Sequence, residues 1–264
     1  MIFYENYDKD TLMEEIKYPV RINKYLAHQK ICARREADEL ILQKKVKING
    51  KIAVLGDKIL PNDKVIVEGS SKKLVYLAFN KPKGVITHSP QNGEKEIKDI
   101  LRSNPPSFKN FGEASIFPVG RLDKNSSGLI ILTNDGRLTD KLLNPEYNHE
   151  KEYIIKVNKK IDNSFLKRME GGVKLPASPT SQGGDDGYVT KKCEVIKVNS
   201  ERFSIILTEG KKHQIRRMCD ALGYGVVNLE RRRIMNIKLG NLLPGDLREI
   251  KGYELKELLK SIGL

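Results

Sequence analysis

The chain has 264 residues and carries 48 Lys and Arg against 34 Asp and Glu, a net charge of +14 that favours a polyanionic partner, nucleic acid first. With 39% hydrophobic residues it has enough apolar material for a core, which excludes disorder of the whole chain, and no run of about 18 apolar residues offers a membrane span. The acidic start MIFYENYDKD lacks the basic-then-apolar order of a secretory signal, so the expected location is the cytoplasm. Residues 1–18 mix aromatic and acidic side chains without periodicity and read as an N-terminal extension, closed by the helix breaker Pro19.

From Arg21 the pattern changes. Ile22, Tyr25 and Leu26 fall on one face of a short helix, and Ala37, Leu40 and Ile41 repeat that spacing in a second. Val46 and Ile48 alternate, Asn49-Gly50 signals a type I′ hairpin, and Ile52, Val54, Val65 and Val67 continue as strands. Residues 21–51 hold nine basic against three acidic side chains, a net +6. A helix-turn-helix DNA reader begins similarly, but the hairpin directly after the second helix argues against it. Residues 19–69, centred on RINKYLAHQKICARREADELILQKKVKING, resemble the S4 RNA-binding domain. Ala33 departs from that pattern, standing where such domains place Ser as the cap of the second helix, a loss of ~1 kcal/mol.

After the Ser/Lys junction at 69–73, residues 73–264 read as a second, larger domain. Strand signals are VYLAF (75–79), GVIT (84–87), GLIILT (128–133), YIIKV (153–157), CEVIKV (193–198), FSIILT (203–208) and NIKL (236–239). Helix signals are GRLTDKLLN (136–144), NSFLKRME (163–170), HQIRRMCDAL (213–222) and YELKELLKSI (253–262). Strands dominate without strict βαβ alternation, which predicts an α+β fold with a mixed, mostly antiparallel sheet. PASPTSQGGDDGY (176–188) reads as a loop.

No GxGxxG after a strand, no Walker A and no HExxH is present, and three spaced cysteines with four scattered histidines offer no metal-ligand spacing. Neither cofactor nor metal is therefore expected. Three segments remain. FPVGRLDKNSSGLIILTNDG (117–136) puts Arg121 and Asp123 on a loop beside an apolar strand. Alone, Arg-x-Asp in a loop is more often a surface turn or salt bridge. GKKHQIRRMCDALGY (210–224) has Ile215, Met218, Cys219 and Leu222 as an inward stripe, with Arg216 and Arg217 on the same helix. HEKEY (149–153) leads Tyr153 into a strand, where it serves either as packing or as a stacking surface for a base.

Together these segments resemble the RsuA-type pseudouridine synthases, bacterial rRNA enzymes with an N-terminal S4 domain. NKPKG (80–84), TNDG (133–136), ALGY (221–224), LERRRI (229–234) and LPGD (243–246) add to the match, which covers nearly all of residues 19–262. HEKEY, TKKC (190–193) and RRIMN (232–236) are similar to the large-subunit branch of RluB and RluF, nearer RluF.

The resemblance implies a pseudouridine synthase fold that acts without a cofactor, as a monomer, on a uridine of large-subunit (23S) rRNA, with tRNA as a candidate second substrate. It makes Asp123 the nucleophile or essential carboxylate and Arg216 the guanidinium beside it. Tyr153 would stack on the flipped uracil, Arg121 would help displace the base, and Ile215 or Leu207 would line the pocket. Lys24, Arg34, Arg35, Lys45, Lys81, Arg217 and Arg231 are the expected RNA contacts. A non-enzymatic RNA-binding assembly factor is the competing reading, against which the intact Asp123, Tyr153 and Arg216 speak. A methyltransferase with an S4 module lacks its Gly-rich loop here.

Overall fold

The computed structural model describes residues 16–29, 31–32, 34–68, 74–91, 93–103, 116–176 and 187–264. Ala33, most of the expected extension and most of the expected 176–188 loop lie outside these residues. Residues up to Leu74, with Asp135–Leu138, form one unit, and Val75–Asn134 with Thr139–Leu264 form the other.

In the first unit, strand β1 (Val20–Arg21) runs into helix α1 (Ile22–His28), and α2 (Arg34–Leu42) follows. Ile22 and Leu26 on α1, and Ala37, Leu40 and Ile41 on α2, are buried together, as helical spacing requires. Asn23 Nδ2 donates to Asp38 Oδ1 at 2.9 Å across the two helices. β2 (Val46–Ile48) pairs with β3 (Lys51–Ile52) through Asn49 and Gly50, whose φ of 49° and 80° are the left-handed values of a type I′ turn. β4 (Lys58–Ile59) pairs with β1, and β5 (Val65–Val67) with β2. Lys24, Arg34 and Arg35 are exposed and Lys45 is half-buried.

The second unit is built on β6 (Tyr76–Lys81), α3 (Ile97–Ser103), β7 (Phe117–Val119), β8 (Ser127–Thr133), all but the first two residues of α4 (Arg137–Leu143), and β9 (Lys151–Val157). It continues through α5 (Asn163–Glu170), β10 (Lys174–Leu175), β11 (Tyr188–Val189), β12 (Glu194–Lys197), β13 (Arg202–Leu207) and α6 (Gln214–Ala221). β14 (Val226–Ile234), β15 (Ile237–Lys238), β16 (Leu247–Glu249) and α7 (Gly252–Ser261) complete it. A sheet runs in the order β12-β13-β9-β14-β8-β6-β16, with β15 on β14 and β7 on β8. Its pairings are antiparallel except β14 with β8, so the fold is α+β with a mixed, mostly antiparallel sheet. The inner strands β6 and β8 are buried along nearly their whole length, which explains their continuous apolar runs.

The structure departs from the sequence reading at GVIT and at β14, among other places. GVIT forms no strand: Gly84 turns at φ 88° and only Ile86 bridges, to Glu96. The longest strand, β14, lies in VVNLERRRI, where a charged run and register shifts at Val226/Asn228 and Arg231/Arg233 blur the period-2 pattern. Where β14 meets β8, Gly128 allows the backbones to touch. A Cβ there would lie 2.3 Å from the Arg231 carbonyl oxygen, and its φ is 106°. That contact explains the glycine of the Ser-x-Gly-Leu segment.

Candidate active site

Asp123 sits on the loop between β7 and β8, which is fixed from several sides. Gly120 turns the chain at φ 80°. Leu122 is buried. Its N–H donates to Thr87 Oγ1 at 3.0 Å, and the same hydroxyl donates to Leu122 O at 2.8 Å. Ser126 N–H donates to Asp123 O at 3.0 Å, and Gly84 N–H to Lys124 O at 2.7 Å. The alternation Arg121 out, Leu122 in leaves the Asp123 carboxylate 40% exposed in a cleft of about 1290 Å³.

The opposite wall comes from the turn into α6. His213 holds a left-handed φ of 52°, a strained conformation for a residue with a Cβ. Buried Gln214 braces it: Oε1 accepts from Lys211 N–H at 3.0 Å, and Nε2 donates to Glu209 Oε1 at 2.5 Å. His213 Nε2 then lies 3.4 Å from Asp123 Oδ1. This neighbour was not legible in the sequence, where 90 residues separate the two; the only signal was the position of His213 at the head of the HQIR segment.

Arg216 lines the same cleft but forms no ion pair with Asp123. Its Nη2 donates to Asn125 O at 2.9 Å and Ser126 Oγ at 3.3 Å, and Nη1 to Val226 O at 3.5 Å. The expected Asp–Arg pair is thus replaced by a guanidinium that fastens the Asp123 loop to α6 and β14. Arg217 turns elsewhere, donating to Pro176 O and standing over the Tyr188 ring.

Two of the expected RNA contacts, Lys81 and Arg231, are buried and are not surface cations. Lys81 ends β6 with no exposed surface, its Nζ donating to Val85 O at 2.6 Å and Pro82 O at 3.1 Å. Burial pushes its pKa down to about 8, against the attraction of Asp123. It therefore braces the chain near Asp123 and presents no surface to a phosphate. Arg231 is 4% exposed, at the back of the cleft, with Nε donating to Leu129 O at 2.7 Å. Tyr153, on β9, is buried within the core and also lines the cleft, as do Ile215, Leu207 and the exposed Arg121. The cleft lining carries seven Lys and Arg side chains against three carboxylates, those of Glu94, Asp123 and Glu209. Lys124 occupies Glu94 at 2.8 Å, and Gln214 occupies Glu209. Such a cleft suits a polyanion that offers one group to a single available carboxylate.

The RNA pseudouridylate synthase family model matches residues 75–221, and the S4 domain model matches residues 20–65. The chain is 42% identical over 249 residues to the dual-specificity RNA pseudouridine synthase RluF of Escherichia coli K12, covering 92% of this chain and 79% of that one. It is 34% identical over 247 residues to the ribosomal large subunit pseudouridine synthase B of Bacillus subtilis, covering 90% and 95%. A solved pseudouridylate synthase superposes with a TM-score of 0.63 at 25% identity, covering 90% of this chain and 99% of that one.

Proposed function

Given that the chain belongs to the RNA pseudouridine synthase family, we propose that it isomerises a uridine of large-subunit rRNA, with Asp123 as the essential carboxylate. The observation that carries this reading is the Thr87–Leu122 double hydrogen bond, which holds a half-exposed carboxylate in a cationic cleft. The name of the Escherichia coli relatives supports a second RNA substrate, for which tRNA is the candidate.

A uridine must leave its stack to reach Asp123, at a cost of about a few kcal/mol. The exposed cations Lys24, Arg34 and Arg35, with half-buried Lys45, offset that cost by holding RNA through its phosphates. Arg121, exposed at the cleft, displaces the base, and Tyr153 stacks on it inside. Arg216 keeps the Asp123 loop in register by binding Asn125 and Ser126. The reaction moves a base within one nucleotide, so no group donor enters the balance.

Pseudouridine mapping of rRNA and tRNA from cells with and without the gene tests the assignment. The expected result is loss of one or a few sites, at least one in large-subunit rRNA. Unchanged maps in both RNAs overturn it.

A further inference from the structure

Three side chains meet on one face of the central sheet. Lys151 stands two residues before Tyr153 on β9, so both project to the same side. Arg231 lies directly opposite Tyr153 in the pairing of β9 with β14 and shares that face. All three line the cleft.

Their neighbours are neutralised and they are not. Arg233 gives Nε to Glu152 at 3.0 Å and Nη1 to Glu150 at 3.0 Å. Among the described residues no carboxylate forms an ion pair with Lys151 or Arg231. Lys151 Nζ donates to His149 O at 3.1 Å, and Arg231 Nη2 is buried with no acceptor. Burial, and then the charge of Arg231, lower the Lys151 pKa. A buried and a half-buried cation side by side without an ion-pair partner are unfavourable unless an acceptor arrives with the ligand.

We propose that Lys151 and Arg231 receive the carbonyl edge of the target uracil and stabilise the ring as an anion when it leaves the ribose. This inference rests on the function proposed above and adds a leaving-group site to it. When the N1–C1′ bond breaks, its electron pair stays on the base and spreads to O2 and O4. The electron-poor ribose faces the Asp123 carboxylate. The pair then forms the C5–C1′ bond, C5 releases its proton, and N1 takes one from solvent. Substrate and product are isomers, so atoms and charge balance. A ring stacked on Tyr153 brings a carbonyl edge toward the two cations on that face. Their depth favours a base over a phosphate, which stays with the exposed cations of the rim.

The test is single turnover at saturating large-subunit rRNA fragment, with uridine or 5-fluorouridine at the target position. Lys151→Met and Arg231→Gln are compared with wild type. Fluorine already stabilises the departing anion, so the variants should lose on the order of 100-fold on uridine and much less on cleavage of 5-fluorouridine. RNA affinity should stay within a few-fold. Equal losses on both substrates, or a loss of affinity with an unchanged saturating rate, overturn the inference. If Arg231→Gln fails to fold, Lys151→Met, at a half-buried position, carries the same comparison. An active wild type with equal losses overturns this inference alone, whereas a wild type inert on every RNA overturns the proposed function and this inference with it.

Discussion

Thr87 and Leu122 hold each other twice, the Thr87 hydroxyl accepting from Leu122 N–H at 3.0 Å and donating to Leu122 O at 2.8 Å. Both residues are buried, and Asp123 follows immediately. Thr87→Val keeps the shape and removes both bonds, leaving two buried backbone groups unpaired. The expected result is a stability loss of about 2–3 kcal/mol in urea unfolding. Saturating turnover should fall by roughly 10- to 100-fold as the carboxylate loses its position.

Gly128→Ala tests the junction of β8 and β14. The added Cβ meets Arg231 backbone atoms at 2.3 and 2.6 Å, where no flexible side chain can yield, and the φ of 106° adds strain. A loss of at least ~3 kcal/mol is expected in thermal or urea unfolding. A variant as stable as wild type would show that the two strands can separate at this point.

Lys81 gives a pH signature. Burial lowers its pKa from the usual 10.5 to about 8, so the folded chain resists holding this proton. Between about pH 8 and 10.5 the unfolded chain binds more protons than the folded one, so stability from this group rises with pH; below about pH 8 the penalty is complete. Relative to Lys81→Met, wild type should gain about 2–3 kcal/mol in urea unfolding from about pH 7 to about pH 10. A difference that does not change with pH contradicts the burial of a charged Lys81.

The fold was legible wherever apolar periodicity was strong. β8, β9, β13 and α5 lie within a residue or two of their expected spans, and the Asn49-Gly50 turn has its expected geometry. β14 was hidden because its Glu-Arg-Arg-Arg run reads as a solvated face, while Arg231 in it is buried and Arg233 is paired with two glutamates. α3 was hidden because its seven residues offer only two buried positions, Ile97 and Leu101. At the site, residue types pointed to the loop of Asp123 and to the HQIR helix. They could not show that His213, and not Arg216, reaches the carboxylate, because that depends on the left-handed turn braced by Gln214. Nor does a lysine or arginine declare its burial, so Lys81 and Arg231 read as surface cations.

The basic face of the first unit should act through phosphates. Lys24, Arg34 and Arg35 are exposed. Replacing the three with Gln should weaken binding of a structured rRNA fragment and reduce the log–log salt slope by about 2 units. The saturating single-turnover rate should stay close to wild type. An unchanged affinity and slope would show that this face does not meet that RNA.

The most direct measurement is single-turnover pseudouridine formation by Asp123→Asn on a saturating large-subunit rRNA fragment, with affinity measured alongside. The amide keeps the shape of the side chain, and the Thr87–Leu122 bonds that hold the loop are unaffected. The expected result is no detectable pseudouridine with RNA affinity within a few-fold of wild type. Residual activity above about a hundredth of wild type contradicts the role of Asp123, since loss of the essential group should remove several kcal/mol of transition-state stabilisation.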